Sequence, residues 1–288
     1  ITWNNIMLLN TFCHIPGIGL NTEKRMWSCG LSNWEEFLQQ KPSQMLLGKR
    51  RMGSIAKYIE QSCEQLRQSR PDYFARLLPA AQHWRLFREF QYSTAYLDIE
   101  TTGMGDFNDY ITTIALYDGE SIYCYVKGEN LQDFNQRIND YNLIVTYNGK
   151  CFDLPFIRNN LKVRMDQTHI DLRYVLSSLG YRGGLKGCEK QLGIDRAELD
   201  GVDGWFAVLL WNDYLRNGNR KALDTLLAYN IQDVVNLETL MILAYNLKLS
   251  ETPFNDTHSL PLPPQPAIPF RADAGTIERI RRELGYFC

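Results

Sequence analysis

The pattern of apolar and polar positions changes character twice along the chain. Up to about residue 90, apolar residues recur at helical spacing. Ile55, Tyr58, Ile59 and Leu66 mark one face of SIAKYIEQSCEQLRQS, and Arg70-Pro71 ends that helix. LSNWEEFLQQ reads as a shorter helix, with Ser32 as N-cap and Glu35 three residues on. A further helix is expected through YFARLLPAAQHWRLFREF, interrupted at Pro79. From about residue 92, short runs rich in β-branched and aromatic residues take over: TAYLDIE, YITTIALYD and SIYCYVKG. Asp118-Gly119 between the last two is a hairpin signal.

A helix over LQDFNQRIND then leads to a buried strand, NLIVTY, and a sharp turn at Asn148-Gly149. From about residue 171 the helical period returns. DLRYVLSSLG ends at Gly180, and GLKGCEKQLG follows the Gly183-Gly184 pair. WFAVLLWNDYLRNG and RKALDTLLAYNIQDVVNLETLMILAYNLK are long and amphipathic. Six of the eleven prolines fall between Pro253 and Pro269, which predicts an extended strap rather than a core element before a last helix over 274–285. The order is three strands, a helix, a strand, then helices with one short strand near His169. It predicts an α/β chain in three parts. Residues 1–90 form a helical region, with a helix–hairpin–helix-like segment at 12–30. Residues 91–250 form a mixed five-stranded sheet flanked by helices, and 251–288 a proline-rich strap and helix.

Composition narrows the class. At 44% hydrophobic and 22% charged residues the chain has the balance of a soluble globular protein, and no apolar run is long enough for a bilayer. The start lacks the basic end and cleavage site of a signal peptide. The seven cysteines are scattered, without CxxC spacing, so a reducing cytoplasm is expected and a zinc site is not. A net charge of −2 hides an asymmetry: residues 41–90 hold ten Lys/Arg against four acids. A basic arm beside an acidic remainder suits a phosphate polymer, and equally describes a solvated helix surface.

Three acidic signals carry candidate chemistry. Asp98 and Glu100 in YLDIE lie on one face of a strand, with Ile99 on the other. Two adjacent carboxylates near a core repel one another, and a divalent cation removes that cost. Taken alone, DxE is equally a polar strand end. Asp153 in TYNGKCFDLPFI opens a helix after the Asn-Gly turn, where an aspartate also serves as N-cap. Tyr229 and Asp233 share a helix face, close to an apolar stripe.

Together, YLDIETTG, VTYNGKCFDLPFI and YNIQD resemble the three exonuclease motifs of the DEDD, or DnaQ-like, superfamily, and Tyr229 resembles its DEDDy branch. NGKCFDLPFI, HIDLRYVL, GYRGGLKGCEKQLGI and YNIQDVVNLETL are similar to the YprB-type group of RNase H-like proteins. The resemblance covers about residues 92–248 and implies an RNase H-like fold. It further implies a metal-dependent 3′–5′ exonuclease acting on DNA or RNA with two divalent cations, Mg²⁺ or Mn²⁺. Asp98, Glu100 and Asp233 would ligate one ion, Asp98 would bridge to the second, Asp153 would help hold that second ion, and Tyr229 would orient the attacking water. No protein partner and no membrane is implied.

Other residues are secondary candidates. Thr101, Thr102 and Gly103 contact a terminal nucleotide or simply form a turn. Asn148 contacts substrate or caps the helix of Asp153. Lys186, near Arg182 and Gly183-Gly184 at a helix start, is a phosphate-site candidate. His169 and Asp171 read as a hydrogen-bonded pair or an N-cap. HIPGIG, from His14 to Gly19, is a DNA-binding hairpin or an inter-helix turn; Trp27 and Trp34 read as packing residues. The rival functions are a nucleic-acid-binding protein with a weak or inactive domain, a structure-selective endonuclease, and a phosphodiesterase of short oligonucleotides.

Overall fold

The structure is a computed structural model that describes residues 6–39, 49–104, 106, 108–196, 202–283 and 285. Lys41 of the basic arm and Cys288 lie outside the described residues. Two compact units divide the chain: Ile1–Ser93 with Ala244–Pro261, and Thr94–Leu243 with Leu262–Cys288.

The first unit is helical: α1 (Leu20–Ser28), α2 (Trp34–Gln39), α3 (Lys49–Arg67), α4 (Pro71–Leu77) and α5 (Phe87–Phe90). Pro71 opens α4 at its first position, where its missing N–H costs nothing, and a 3₁₀ segment from Ala80 to Leu86 follows Pro79. The expected Ser32–Glu35 cap is displaced by one residue. The Asn33 side chain accepts from the Glu36 N–H at 2.9 Å, and Glu36 reaches back to the Ser32 N–H at 2.6 Å. Asn competes well with Ser as a cap, and Glu36 completes the reciprocal pair. Buried Glu23 accepts from the N–H groups of Phe12 and Cys13 and pairs with Arg85 at 2.9 Å. Trp27 and Trp34 are buried, donating to the carbonyls of Asn10 and Thr11. In the HIPGIG hairpin, Ile15 and Ile18 face inward. Gly17 takes φ 81°, and its carbonyl accepts from Arg51 at 2.7 Å.

The second unit carries a five-stranded sheet in the order β3-β2-β1-β4-β5. The strands are β1 (Thr94–Thr101), β2 (Ile111–Tyr117), β3 (Ile122–Val126), β4 (Leu143–Thr146) and β5 (Thr168–Asp171). β1, β2 and β3 pair antiparallel, and β4 and β5 run parallel to β1. Asp118 fixes the β2–β3 hairpin by accepting from the N–H groups of Glu120 and Ser121. Helices α6 (Phe134–Arg137), α7 (Asp153–Leu161), α8 (Leu172–Ser178), α9 (Gly184–Gln191), α10 (Gly204–Asn217) and α11 (Arg220–Leu249) follow. The stretch expected as one helix over LQDFNQRIND is a single α turn between two 3₁₀ turns. Leu131, Phe134 and Ile138 are buried all the same. Ala95, Leu97 and Ile99 share one face of β1 and pack with Phe134, Ile157 and Met165. The alternate residues Asp98 and Glu100 therefore face the other side.

Within the proline-rich stretch, α12 (Asn255–His258) is a structured turn of the helical unit. Phe254 packs edge-on against Trp27 and His258 hydrogen-bonds Asn10, so this part of the expected strap is core. Residues 259–273 hold no helix or strand. α13 (Ala274–Glu283) buries Ile277 and Ile280 beside Trp211 and Leu223. Among the described residues, no helix is long and apolar enough to cross a membrane.

Candidate metal centre

Asp98 and Glu100 sit near the end of the central strand. β1 pairs with β4 only as far as Tyr96–Val145, and its register with β2 shifts between Glu100 and Thr101. Such an irregularity re-aims side chains at a sheet's working edge. α11 brings Asp233 to the same place. One carboxylate oxygen each from Asp98, Glu100 and Asp233 lie within 4.8 Å of one another. Asp153, the first residue of α7, is buried close by but is not part of that triplet.

The electrostatics are those of crowded acids. Burial pushes Asp98 well above the usual carboxylate range, and the charges of Asp233, Asp153 and Glu100 add to it. Glu100 is raised in the same way, against the pull of Lys186 and Arg196. Burial lifts Asp153 to about 7, opposed by its own N–H and that of Ile99. Asp233 is lifted to about 6 by burial, with Arg196 opposing.

Three residues that sequence reasoning missed hold these acids. Asn230 donates to Asp98 Oδ2 at 2.7 Å, and its own oxygen accepts from the Thr113 hydroxyl at 3.0 Å. Arg196 donates to Asp233 at 2.5 Å and grips Glu189 of α9 with two further bonds, at 2.5 and 2.7 Å. Glu189 also accepts from Asn236, three residues after Asp233 on α11. Asn230 lies inside the YNIQD phrase, which was a signal. Glu189 lies inside GYRGGLKGCEKQLGI, which was a weaker signal, whereas Arg196 lies outside every quoted phrase and only the fold brings it to Asp233.

Tyr229 is buried beside this cluster. The Lys186 ammonium lies 4.8 Å from its ring and donates to the Val202 carbonyl; the Arg196 guanidinium lies 5.8 Å away. Burial and the nearby carboxylates push the Tyr229 hydroxyl far up, so it stays protonated. The loop after β1 closes on itself. Thr101 Oγ1 donates to the Gly103 carbonyl at 2.5 Å, and Thr102 Oγ1 donates to Asp109 at 3.2 Å and accepts from the Tyr110 N–H. Asn148 has φ 66° and accepts from Arg173 at 2.5 Å. Asp171 caps α8 and also accepts from the N–H groups of Asn148 and Lys150, and His169 bonds Thr146.

The donor set fits a hard divalent cation. It consists of carboxylate oxygens alone, without cysteine or histidine. Asp98, Glu100, Asp153, Asp233 and Glu189 outnumber the cations Arg196 and Lys186, so a positive ion relieves the residual repulsion.

Residues 95–245 match the family model described as RNase_H superfamily (RNase_H_2). The chain belongs to the RNase H superfamily. The sheet order and flanking helices are those of an RNase H-like α/β fold, and the acidic cluster lies within the matched residues. A comparison with curated proteins finds no match. Among solved structures, this RNase H superfamily chain is similar to the family B DNA polymerase from the hyperthermophilic archaeon Pyrobaculum calidifontis. The identity is 18% and the TM-score 0.42, over 58% of this chain and 27% of the polymerase.

Proposed function

We propose that the protein is a divalent-metal-dependent 3′–5′ exonuclease that hydrolyses phosphodiester bonds of DNA or RNA. The observation that carries this reading is the meeting of Asp98, Glu100 and Asp233 within 4.8 Å, in a chain of the RNase H superfamily. Asp98, Glu100 and Asp233 would hold one Mg²⁺ or Mn²⁺ ion, and Asp98 with Asp153 a second. Such ions, when bound, supply Lewis acidity to water and to phosphate oxygens.

The chain's own groups do the rest. The Tyr229 hydroxyl, kept protonated by its surroundings, is a hydrogen-bond donor and acceptor able to orient the attacking water. Lys186 fixes the ring of Tyr229 from one side. Asn230 and Arg196 fix the rotamers of Asp98 and Asp233. Thr101, Thr102 and Gly103 would meet a terminal nucleotide as a pre-closed loop, since both hydroxyls are already engaged. The 3′–5′ polarity rests on the motif resemblance of YLDIETTG, NGKCFDLPFI and YNIQD.

The test is degradation of 5′-labelled linear strands beside circular strands of the same sequence, in Mn²⁺. The reading expects a ladder shortening from the 3′ end of the linear strand and an intact circle. Cleavage of the circle would instead identify an endonuclease.

A further inference from the structure

A cleft of about 570 Å³ opens where β4 and β5 end, walled by the loop after β4, by α8 and by the turn into α9. In an α/β sheet this is the end at which ligands bind, and Asp98 and Glu100 lie near the same end of the parallel neighbour β1. Its size is that of a small-molecule or nucleotide pocket.

The lining has one charge sign. Arg173 and Arg182 contribute to it, and no Asp or Glu does. Arg173 spends one nitrogen on Asn148, and among the described residues the rest of its fork has no hydrogen-bond partner. The Arg182 guanidinium makes no hydrogen bond or ion pair among the described residues, and the residue is exposed. In a chain of net charge −2, such a cleft selects an anion. Two half-buried tyrosines, Tyr147 and Tyr181, add aromatic surface to the same walls. Arginine forks beside aromatic rings match phosphates and unpaired bases together. A duplex keeps its bases stacked inside and cannot use the rings.

The cleft is tied to the acidic cluster through α9. The residues Gly183-Gly184 line the cleft at its start. One turn on, Lys186 reaches Tyr229, and Glu189 holds the arginine that grips Asp233. Tyr147, on the cleft wall, also touches Cys188 of α9 at 3.6 Å.

We propose that this cleft binds a single-stranded stretch of the nucleic acid adjoining the bond to be cut, with Arg173 and Arg182 on phosphates and Tyr147 and Tyr181 on bases. The proposal rests on the nuclease reading for its direction, because the acidic cluster sets where the scissile bond lies. It makes the protein selective for single-stranded ends or loops.

The test is binding of fluorescent single-stranded DNA and RNA to the full chain in EDTA, where no turnover occurs, across a salt series. Arg173→Gln with Arg182→Gln should weaken binding about tenfold and flatten the salt slope by about 1.4, the value for two lost phosphate contacts on a single strand. Tyr181→Ala should weaken it about tenfold with the salt slope retained. Arg164→Ala, an exposed arginine paired with Asp166 outside the cleft, should change neither. Circular dichroism of each variant shows that it is folded. Unchanged affinity and slope in the folded arginine double variant would overturn the proposal. So would preference for blunt duplex over single strand. Binding that behaves as expected in a protein that cleaves nothing with Mn²⁺ would refute the nuclease reading and still support the cleft.

Discussion

The Arg196 guanidinium lies 2.5 Å from one carboxylate oxygen of Asp233, and both side chains are buried. Glu189 fixes the opposite edge of the same guanidinium. One oxygen of a metal-ligand candidate is therefore committed in advance, and its rotamer is set by a side chain that no motif predicts. Bonds of this kind, which orient a ligand from behind, are worth about ten- to a hundredfold in metal affinity.

Arg196→Lys keeps the charge and loses the fork. It should weaken Mn²⁺ binding about tenfold, read by electron paramagnetic resonance of free Mn²⁺, in a protein that remains folded. Unchanged or tighter Mn²⁺ binding would show that Arg196 competes with the ion rather than positioning its ligand.

Asp98→Asn removes a charge that is costly in the metal-free protein, because burial and three neighbouring acids raise it. Asn can still accept from Asn230. In EDTA the melting temperature should therefore rise, by about 2–4 °C if the relief is near 1 kcal/mol. The further rise that Mn²⁺ gives the wild type should be lost. A melting temperature below wild type in EDTA would contradict the repulsion argument.

In the helical unit, Glu89 accepts from the Leu8 N–H, and its Oε2 is sealed from solvent. Burial raises its pKa from 4.5 to about 8. The raised value means the folded protein holds this proton more tightly than the unfolded chain. Its contribution to stability is full below pH 4.5 and is lost as pH rises toward 8. Glu89→Gln should flatten this part of the pH dependence and be the more stable form above pH 8. Denaturant midpoints between pH 5 and 9 check it; parallel curves for the two proteins would count against it.

Glu23→Gln leaves Arg85 buried without its countercharge. The loss should be about 3–5 kcal/mol, measured by urea unfolding. A loss under 1 kcal/mol would mean that the N–H bonds of Phe12 and Cys13, not the ion pair, carry the role of Glu23.

Much of the fold was legible because the chain punctuates itself. Asp118-Gly119, Asn148-Gly149 and Arg70-Pro71 each end an element through backbone chemistry that needs no tertiary context. The alternation in YLDIE fixed which side of the sheet Asp98 and Glu100 would face. The cap at α2 was missed by one residue because Ser32 and Asn33 are both good caps, and only the reach of Glu36 decides between them. Phe254 and His258 were unreadable as core, since prolines around them mask a single helical turn. The support of the acids was hidden for a different reason. Arg196 is distant in sequence from Asp233, and the two meet only when the fold brings α9 and α11 together.

We propose that the carboxylates around Asp98 direct divalent-metal-dependent cleavage of phosphodiester bonds. It is tested most directly by incubating labelled single-stranded DNA and RNA with the wild-type chain and with folded Asp98→Ala, each in Mn²⁺ and in EDTA. The wild type should cleave in Mn²⁺ alone, and Asp98→Ala should not cleave. Equal cleavage by the two proteins, or wild-type cleavage that persists in EDTA, would contradict it.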